Sequence, residues 1–162
     1  MIFGGVGSDD LRGQAGNDLV RGGVGYDFLV GGNGDDDLDG GAGNDLVHGE
    51  AGEDLLAGGD GVDWLFGGDD ADELRGSFGD DRLDGDGGDD LLRGGHGDDE
   101  LNGGEGSDIA FFNGSVANYT LTRLDDGGLL VTHNGVGGVN YGSDRLHDIE
   151  LMDFGGLRMP TG

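Results

Sequence analysis

The chain has no cysteine and no lysine, and only one proline in 162 residues. Without cysteine, no disulfide can staple the fold. All eight basic residues are Arg, and nothing in the sequence accounts for that. No run of about eighteen apolar residues occurs, so no membrane-spanning helix is expected. Positive charge is scarce. Eight Arg against 35 acids leave a formal net charge of −27, which argues against nucleic acid or an anionic membrane as partner. No G-x-S-x-G, H-E-x-x-H or P-loop is present. Paired carboxylates are so frequent that two neighbouring acids carry no catalytic information. His48, His96, His133 and His147 are scattered and read as surface residues. No catalysis is expected within these residues.

What the chain does have is a count of nine. From Gly4 to Phe111 it is twelve consecutive nonapeptides without insertion or deletion. The sixth place is always aspartate: Asp9, Asp18, Asp27, Asp36, Asp45, Asp54, Asp63, Asp72, Asp81, Asp90, Asp99 and Asp108. The first place is always glycine: Gly4, Gly13, Gly22, Gly31, Gly40, Gly49, Gly58, Gly67, Gly76, Gly85, Gly94 and Gly103. The fourth is glycine in Gly7, Gly16, Gly25, Gly34, Gly43, Gly52, Gly61, Gly79, Gly88, Gly97 and Gly106, with Asp70 as the exception. The eighth is apolar throughout, from Leu11 to Ala110.

Gly and Asp turn the chain rather than extend it. The last three places can form only a short strand, with one apolar side chain inward and its neighbours outward. Turn, strand, turn, strand make one coil of eighteen residues, so unit n lies beneath unit n+2. Stacked coils give two parallel sheets with the eighth-place residues between them. Adjacent strands sit about 4.8 Å apart. Two oxygens on opposite sides of a calcium ion, each at about 2.4 Å, span the same distance. An ion therefore fits between stacked turns, held by one Asp carboxylate from each turn and by backbone carbonyls of the first- and fourth-place glycines. Oxygen ligands without Cys or clustered His favour calcium over zinc or copper. Twelve units give ten n/n+2 pairs, from Asp9/Asp27 to Asp90/Asp108, hence about ten ions. Residues 4–111 hold 29 acids and five Arg, a net of −24. Without cations such a segment is expected to be disordered.

The pattern G-G-x-G-x-D-x-U-x, with U apolar, resembles the calcium-binding nonapeptide of the RTX, or hemolysin-type, family. The resemblance covers about two thirds of the chain. It implies an all-β, right-handed parallel β-roll of two nonapeptides per coil, over residues 1–111, followed by a small β cap over 112–162. It also implies a secreted bacterial protein exported by type I secretion, in which the roll folds on calcium outside the cell. Extracellular calcium modules bind at about 10⁻⁴–10⁻³ M, which suits external fluid. No N-terminal signal peptide is visible. Ile2 and Phe3 fit places eight and nine of a preceding unit, so the chain is expected to be a piece of a longer protein with an upstream domain. A competing function is a module that binds a polysaccharide or a protein partner.

After Phe111 the period stops. Tyr119–Leu124 and Leu129–His133 read as a hairpin across the Asp125–Gly128 turn. A Gly- and Asn-rich stretch, 134–142, follows. Residues 142–146 then match places four to eight, so Asp144 is a candidate further ligand in a degenerate half-repeat. Ile149, Leu151, Met152 and Phe154 supply a last apolar strand, and Pro160 lies outside any expected element. Solenoids need such a cap to hide the open end of the core.

Two further expectations follow from the repeat. Asp70 puts a Cβ where the turn wants none, so the stack should be weakest at the eighth unit, Gly67 to Arg75. Places seven and nine face outward. Units three, five and seven should therefore present Phe28 and Val30, Leu46 and His48, Trp64 and Phe66 as one apolar stripe.

Overall fold

One apolar residue in nine is too thin a row to bury alone, so the units must stack to make an interior. The computed structural model describes residues 1–135 and 141–162. The first strands are β1 (Ile2–Val6), β2 (Asp10–Ala15), β3 (Leu19–Val24), β4 (Phe28–Asn33), β5 (Asp37–Ala42) and β6 (Leu46–Ala51). Next come β7 (Leu55–Asp60), β8 (Trp64–Asp69), β9 (Glu73–Phe78), β10 (Arg82–Gly87), β11 (Leu91–His96) and β12 (Glu100–Asn102). The C-terminal part holds β13 (Ile109–Phe112), a 3-10 turn at Val116–Asn118, β14 (Tyr119–Arg123), β15 (Leu129–His133), β16 (Ser143–His147), β17 (Leu151–Phe154) and β18 (Leu157–Pro160).

These strands make an all-β solenoid of two nine-stranded sheets. Strands β1, β3, β5, β7, β9, β11 and β13 stack in one sheet, which ends in β17 and β18. The even strands β2 to β12 stack in the other, which continues through β16, β15 and β14. Pairing within the repeats is parallel with an offset of eighteen residues, as in Leu65 between Val47 and Leu83. The eighth-place residues meet between the sheets. Leu29, Val47, Leu65, Leu83 and Leu101 face Val20, Leu38, Leu56, Leu74, Leu92 and Ala110, all at 0 % exposure.

The strands are longer than the expected three residues. Most run six, from place seven through place three of the next unit. Stacking sets each main-chain group opposite its equivalent eighteen residues away, so the ladder continues past the first-place glycine. It does so although place two is left-handed, as at Gly23 (φ 116°) and Gly32 (φ 120°). Side chains at this place keep the same backbone: Gln14, Glu50, Ser77 and Asp86 have φ between 67° and 88°. The coil imposes its shape on residues that would ordinarily avoid it.

Beyond the repeats the hairpin β14–β15 forms, and β15 joins β16 antiparallel. β16 in turn lies parallel on β12, with Leu146 stacked on Leu101. β17 lies parallel on β13 and is covered by the antiparallel β18. Phe112, Tyr119, Leu129, Val131, Met152 and Phe154 are buried here. Residues 136–140 of the Gly- and Asn-rich stretch lie outside the described residues.

Four expectations need correction. Pro160 is part of β18, opposite Leu151; an edge strand tolerates proline because it need not donate outward. His133 is not on the surface: it is 7 % exposed, with its ring between Tyr119 and Tyr141. His48 is half-buried and stacked on Phe66 at 4.8 Å, and burial lowers its pKa. The same stacking thins the apolar stripe. Its residues are in register, but Val30 is buried and Phe28, Leu46 and Phe66 are half-buried, leaving Trp64 exposed.

Candidate metal centre

The sixth-place aspartates turn inward at the two edges of the roll. From Asp27 to Asp108 each is at most 4 % exposed. Their carboxylates form two inner ladders. In one, the amides of Asp9, Asp27, Asp45, Asp63 and Asp81 donate to Oδ1 of the aspartate eighteen residues on, at 2.8–2.9 Å. In the other, the amides of Asp18, Asp36, Asp54, Asp72 and Asp90 do the same at 2.6–2.9 Å. The predicted n/n+2 pairs are therefore adjacent throughout.

Each ladder has a last rung that the repeat does not supply. The Asp99 amide donates to Asp144 Oδ1 at 3.2 Å, which puts Asp144 where sequence phase placed it. The Asp108 amide donates to Glu150 Oε2 at 2.8 Å. Sequence reasoning missed Glu150. Between His147 and Leu151 the turn is three residues instead of six, so the nonapeptide phase is lost. Asp148, at φ 47°, turns the chain there. The surviving signal was the apolar Met152, which pairs with Ala110 as an eighth-place residue would.

The second carboxylate oxygen decides what the site can do. Oδ2 is buried without a hydrogen-bond partner in Asp9, Asp27, Asp36, Asp45, Asp54, Asp63, Asp72, Asp81, Asp90, Asp99 and Asp108. A buried unpaired carboxylate oxygen is costly, and a whole row of them calls for a cation. These oxygens lie against the first-place glycines. A Cβ on Gly4 would stand 2.5 Å from Asp9 Oδ2 and 2.6 Å from the Gly22 carbonyl oxygen. A Cβ on Gly22 would meet Asp27 Oδ2 at 2.6 Å and the Gly40 carbonyl at 2.5 Å. A carboxylate oxygen and a carbonyl oxygen from the next coil thus converge on a space only glycine leaves open. The fourth-place carbonyls are also directed at the coil above, where Gly7 O faces Gly25 and Gly25 O faces Gly43. Hard oxygens from adjacent turns are the donor set calcium takes. Among the described residues no three His, Cys, Asp or Glu side chains gather at one point. Main-chain oxygens would have to complete any shell.

The electrostatics agree. Burial pushes Asp54, Asp63 and Asp90 up to about 6, and Asp72 and Asp81 up to about 7. The donated amide of the preceding coil opposes the shift, and the carboxylates above and below add to it. Asp99 and Asp144, in contact, are both raised by burial.

Matches to the RTX calcium-binding nonapeptide repeat fall on residues 1–29, 30–65, 48–83, 57–92 and 75–110. The chain belongs to this family. The RTX repeats here therefore form a calcium-binding β-roll module, and modules of this kind are structural rather than catalytic. RTX repeats are typical of secreted proteins, and among the described residues no helix is long and apolar enough to cross a membrane. No curated protein sequence matches the chain.

The structure leaves one predicted ligand place altered. Asp70 stands at place four with φ 77°. Elsewhere the fourth-place amide donates to the third-place carbonyl of the next coil, at 2.7–2.8 Å for Gly7 through Gly43. The Gly52–Asp69 bond next to Asp70 stretches to 3.4 Å, and the bond expected from the Asp70 amide has no counterpart among the described residues.

Proposed function

We propose that this roll folds when calcium fills its edges outside the cell, and that this folding supports the secretion, folding and stability of a larger protein carrying an upstream domain. The ligands in this reading are the sixth-place aspartates from Asp9 to Asp108, with carbonyls of the first- and fourth-place glycines and Asp144 at one end. About ten ions occupy the n/n+2 gaps. The observation that carries the reading is the row of eleven buried Oδ2 atoms without partners. Calcium supplies the positive charge that row lacks. The chain's part is to bring the oxygens together and exclude water; burial pushes the carboxylates toward the protonated form, and a bound cation would hold them ionised.

Far-UV circular dichroism during a calcium titration, with calorimetry for stoichiometry, tests the reading. The chain should be largely disordered in EGTA and β-rich with calcium, cooperatively and with about ten ions bound. Magnesium should substitute badly, because it demands a smaller octahedral shell and sheds water reluctantly. A full β spectrum in EGTA would overturn the proposal.

A second reading, a polysaccharide- or partner-binding module, draws support from one corner of the roll. Tyr26, Val62 and Trp64 are 67 %, 44 % and 53 % exposed there, along a groove that also takes in Phe28, Asn44 and Leu46. Titration of neutral and acidic polysaccharides against the calcium-loaded chain, followed by Trp64 emission, tests it. No change with any of them would remove its support.

A further inference from the structure

The fifth place carries no obvious signal in the sequence: it holds Ser, Asn, Tyr, Asp, Glu, Val and Ala. In the structure its Asn and Asp residues all do one thing. Asn17 Oδ1 accepts from the Asp35 amide, Asp35 Oδ1 from Glu53, and Asn44 Oδ1 from Val62. Asp80 Oδ1 accepts from the Asp98 amide, Asp89 Oδ1 from Ser107, and Asp98 Oδ1 from Ser143, at 2.8–3.0 Å. All six Asx residues at this place are exposed and all six accept. Ser8 and Ser107, with shorter side chains, make no such bond among the described residues.

This outer ladder runs opposite to the inner one. Sixth-place carboxylates reach back to the preceding coil, whereas fifth-place oxygens reach forward to the next. Gap by gap the two can be reciprocal: Asp81 N–H donates up to Asp99 while Asp98 N–H donates down to Asp80, both at 2.9 Å. The amide so held belongs to the peptide group whose carbonyl is the fourth-place oxygen. A peptide is planar and trans, so its N–H and C=O point in opposite directions. Fixing Val62 N–H on Asn44 below therefore holds Gly61 O toward the coil above, where it faces Gly79, the direction that the unheld Gly7 and Gly25 carbonyls also take.

We propose that Asn17, Asp35, Asn44, Asp80, Asp89 and Asp98 are positioning residues for the calcium sites. Each holds one fourth-place carbonyl in its direction toward the ion's space without touching the ion. The ladder fails at three consecutive units, where Glu53, Val62 and Ala71 stand at place five and accept nothing from Ala71, Asp80 or Asp89. The altered bonds beside Asp70 fall in the same stretch. The middle of the roll therefore holds its weakest calcium sites. This rests on the calcium reading above.

The test uses the full chain and calcium alone, and reads the calcium midpoint by circular dichroism and the Asp98 amide by hydrogen exchange. Removing one exposed hydrogen bond should cost about two- to fivefold in midpoint. Asp80→Ala should raise the midpoint by that factor and speed exchange at Asp98. Asp80→Asn keeps an oxygen acceptor and should match the parent in both. Val62→Asn and Ala71→Asn should lower the midpoint, while Ala71→Ser leaves it unchanged. If Asp80→Asn raised the midpoint as far as Asp80→Ala, Asp80 would act by charge or as a ligand, and the proposal would be wrong. It would also be wrong if neither Val62→Asn nor Ala71→Asn moved the midpoint. A parent chain indifferent to calcium would instead overturn the calcium reading, and the Asp98 exchange rates would still report whether the ladder exists.

Discussion

The repeats and the segment after them are stabilised by different means, though they share both sheets. Among the described residues, the repeats bury twelve apolar side chains in 108 residues, and ten aspartates with them. Residues 112–162 bury eight apolar side chains, three of them aromatic, with only Asp144 and Asp153 as buried acids. Asp153 is paired there with Arg158 at 3.2 Å. The C-terminal segment is a small conventional core. The roll is a thin core whose edges carry unneutralised charge. Where apolar burial is meagre, an ion has to supply part of the folding free energy.

That contrast is broken most directly at a single carboxylate. Asp63→Ala, in the middle of the roll, should raise the calcium midpoint by about tenfold or more, since two gaps share this residue. Asp153→Ala should leave the midpoint near the parent's. Equal effects in a calcium titration would erase the distinction.

A core truncation probes the other side. Phe154 stacks on Phe112 at 5.1 Å and is 3 % exposed. Phe154→Ala should cost about 3–5 kcal/mol in denaturant unfolding at saturating calcium. The number of ions bound should not change, and calorimetry checks this.

Acid should act on the roll in two opposing ways. Asp54, Asp63 and Asp90 are raised to about 6, and Asp72 and Asp81 to about 7, by burial. Between about pH 4 and 7 the ion-free folded state thus binds more protons than the unfolded chain. Its stability should rise as pH falls through that window and be lost as pH rises past about 7. Calcium affinity should fall over the same range, because protons compete for the same oxygens. Circular dichroism in EGTA at pH 5 and pH 8 separates the two. A β signal that is stronger at pH 8 would contradict the expectation.

The smallest effect is expected at Asp70. Asp70→Gly relieves a left-handed backbone at about 1 kcal/mol and should raise the melting temperature at fixed calcium by about 2–4 °C. A fall would make Asp70 a useful ligand instead.

How much of this could be read from the chain depends on what keeps phase. Places six and eight repeat without exception, so the inner ladder and the core row were legible in full. Asp144 was legible because Gly142 to Leu146 preserve the local spacing. Glu150 was not, because a three-residue turn breaks the count and a glutamate replaces the aspartate. The outer ladder was hidden because six Asx residues among twelve look like variation until neighbouring coils are superposed. Strand length was underestimated because glycine at places one and two suggests a turn, whereas stacking holds it in the ladder. His133 and Pro160 belong to the aperiodic part, where tertiary packing decides and no neighbour repeats the answer.

The parity of the stack has an evolutionary consequence. β16 docks on β12 in one sheet, and β17 on β13 in the other. Duplicating or deleting eighteen residues adds or removes a whole coil and leaves both docking strands facing their own kind. Duplicating nine would exchange the two sheets for every later unit. Trp64 would lose Leu46 as its neighbour if the insertion fell between them, whereas β16 and β17 would still dock on the last two units, which move with them. Lineages that keep a surface stripe along one sheet should therefore vary in length by even numbers of units within it, even though the genetic repeat is a single nonapeptide.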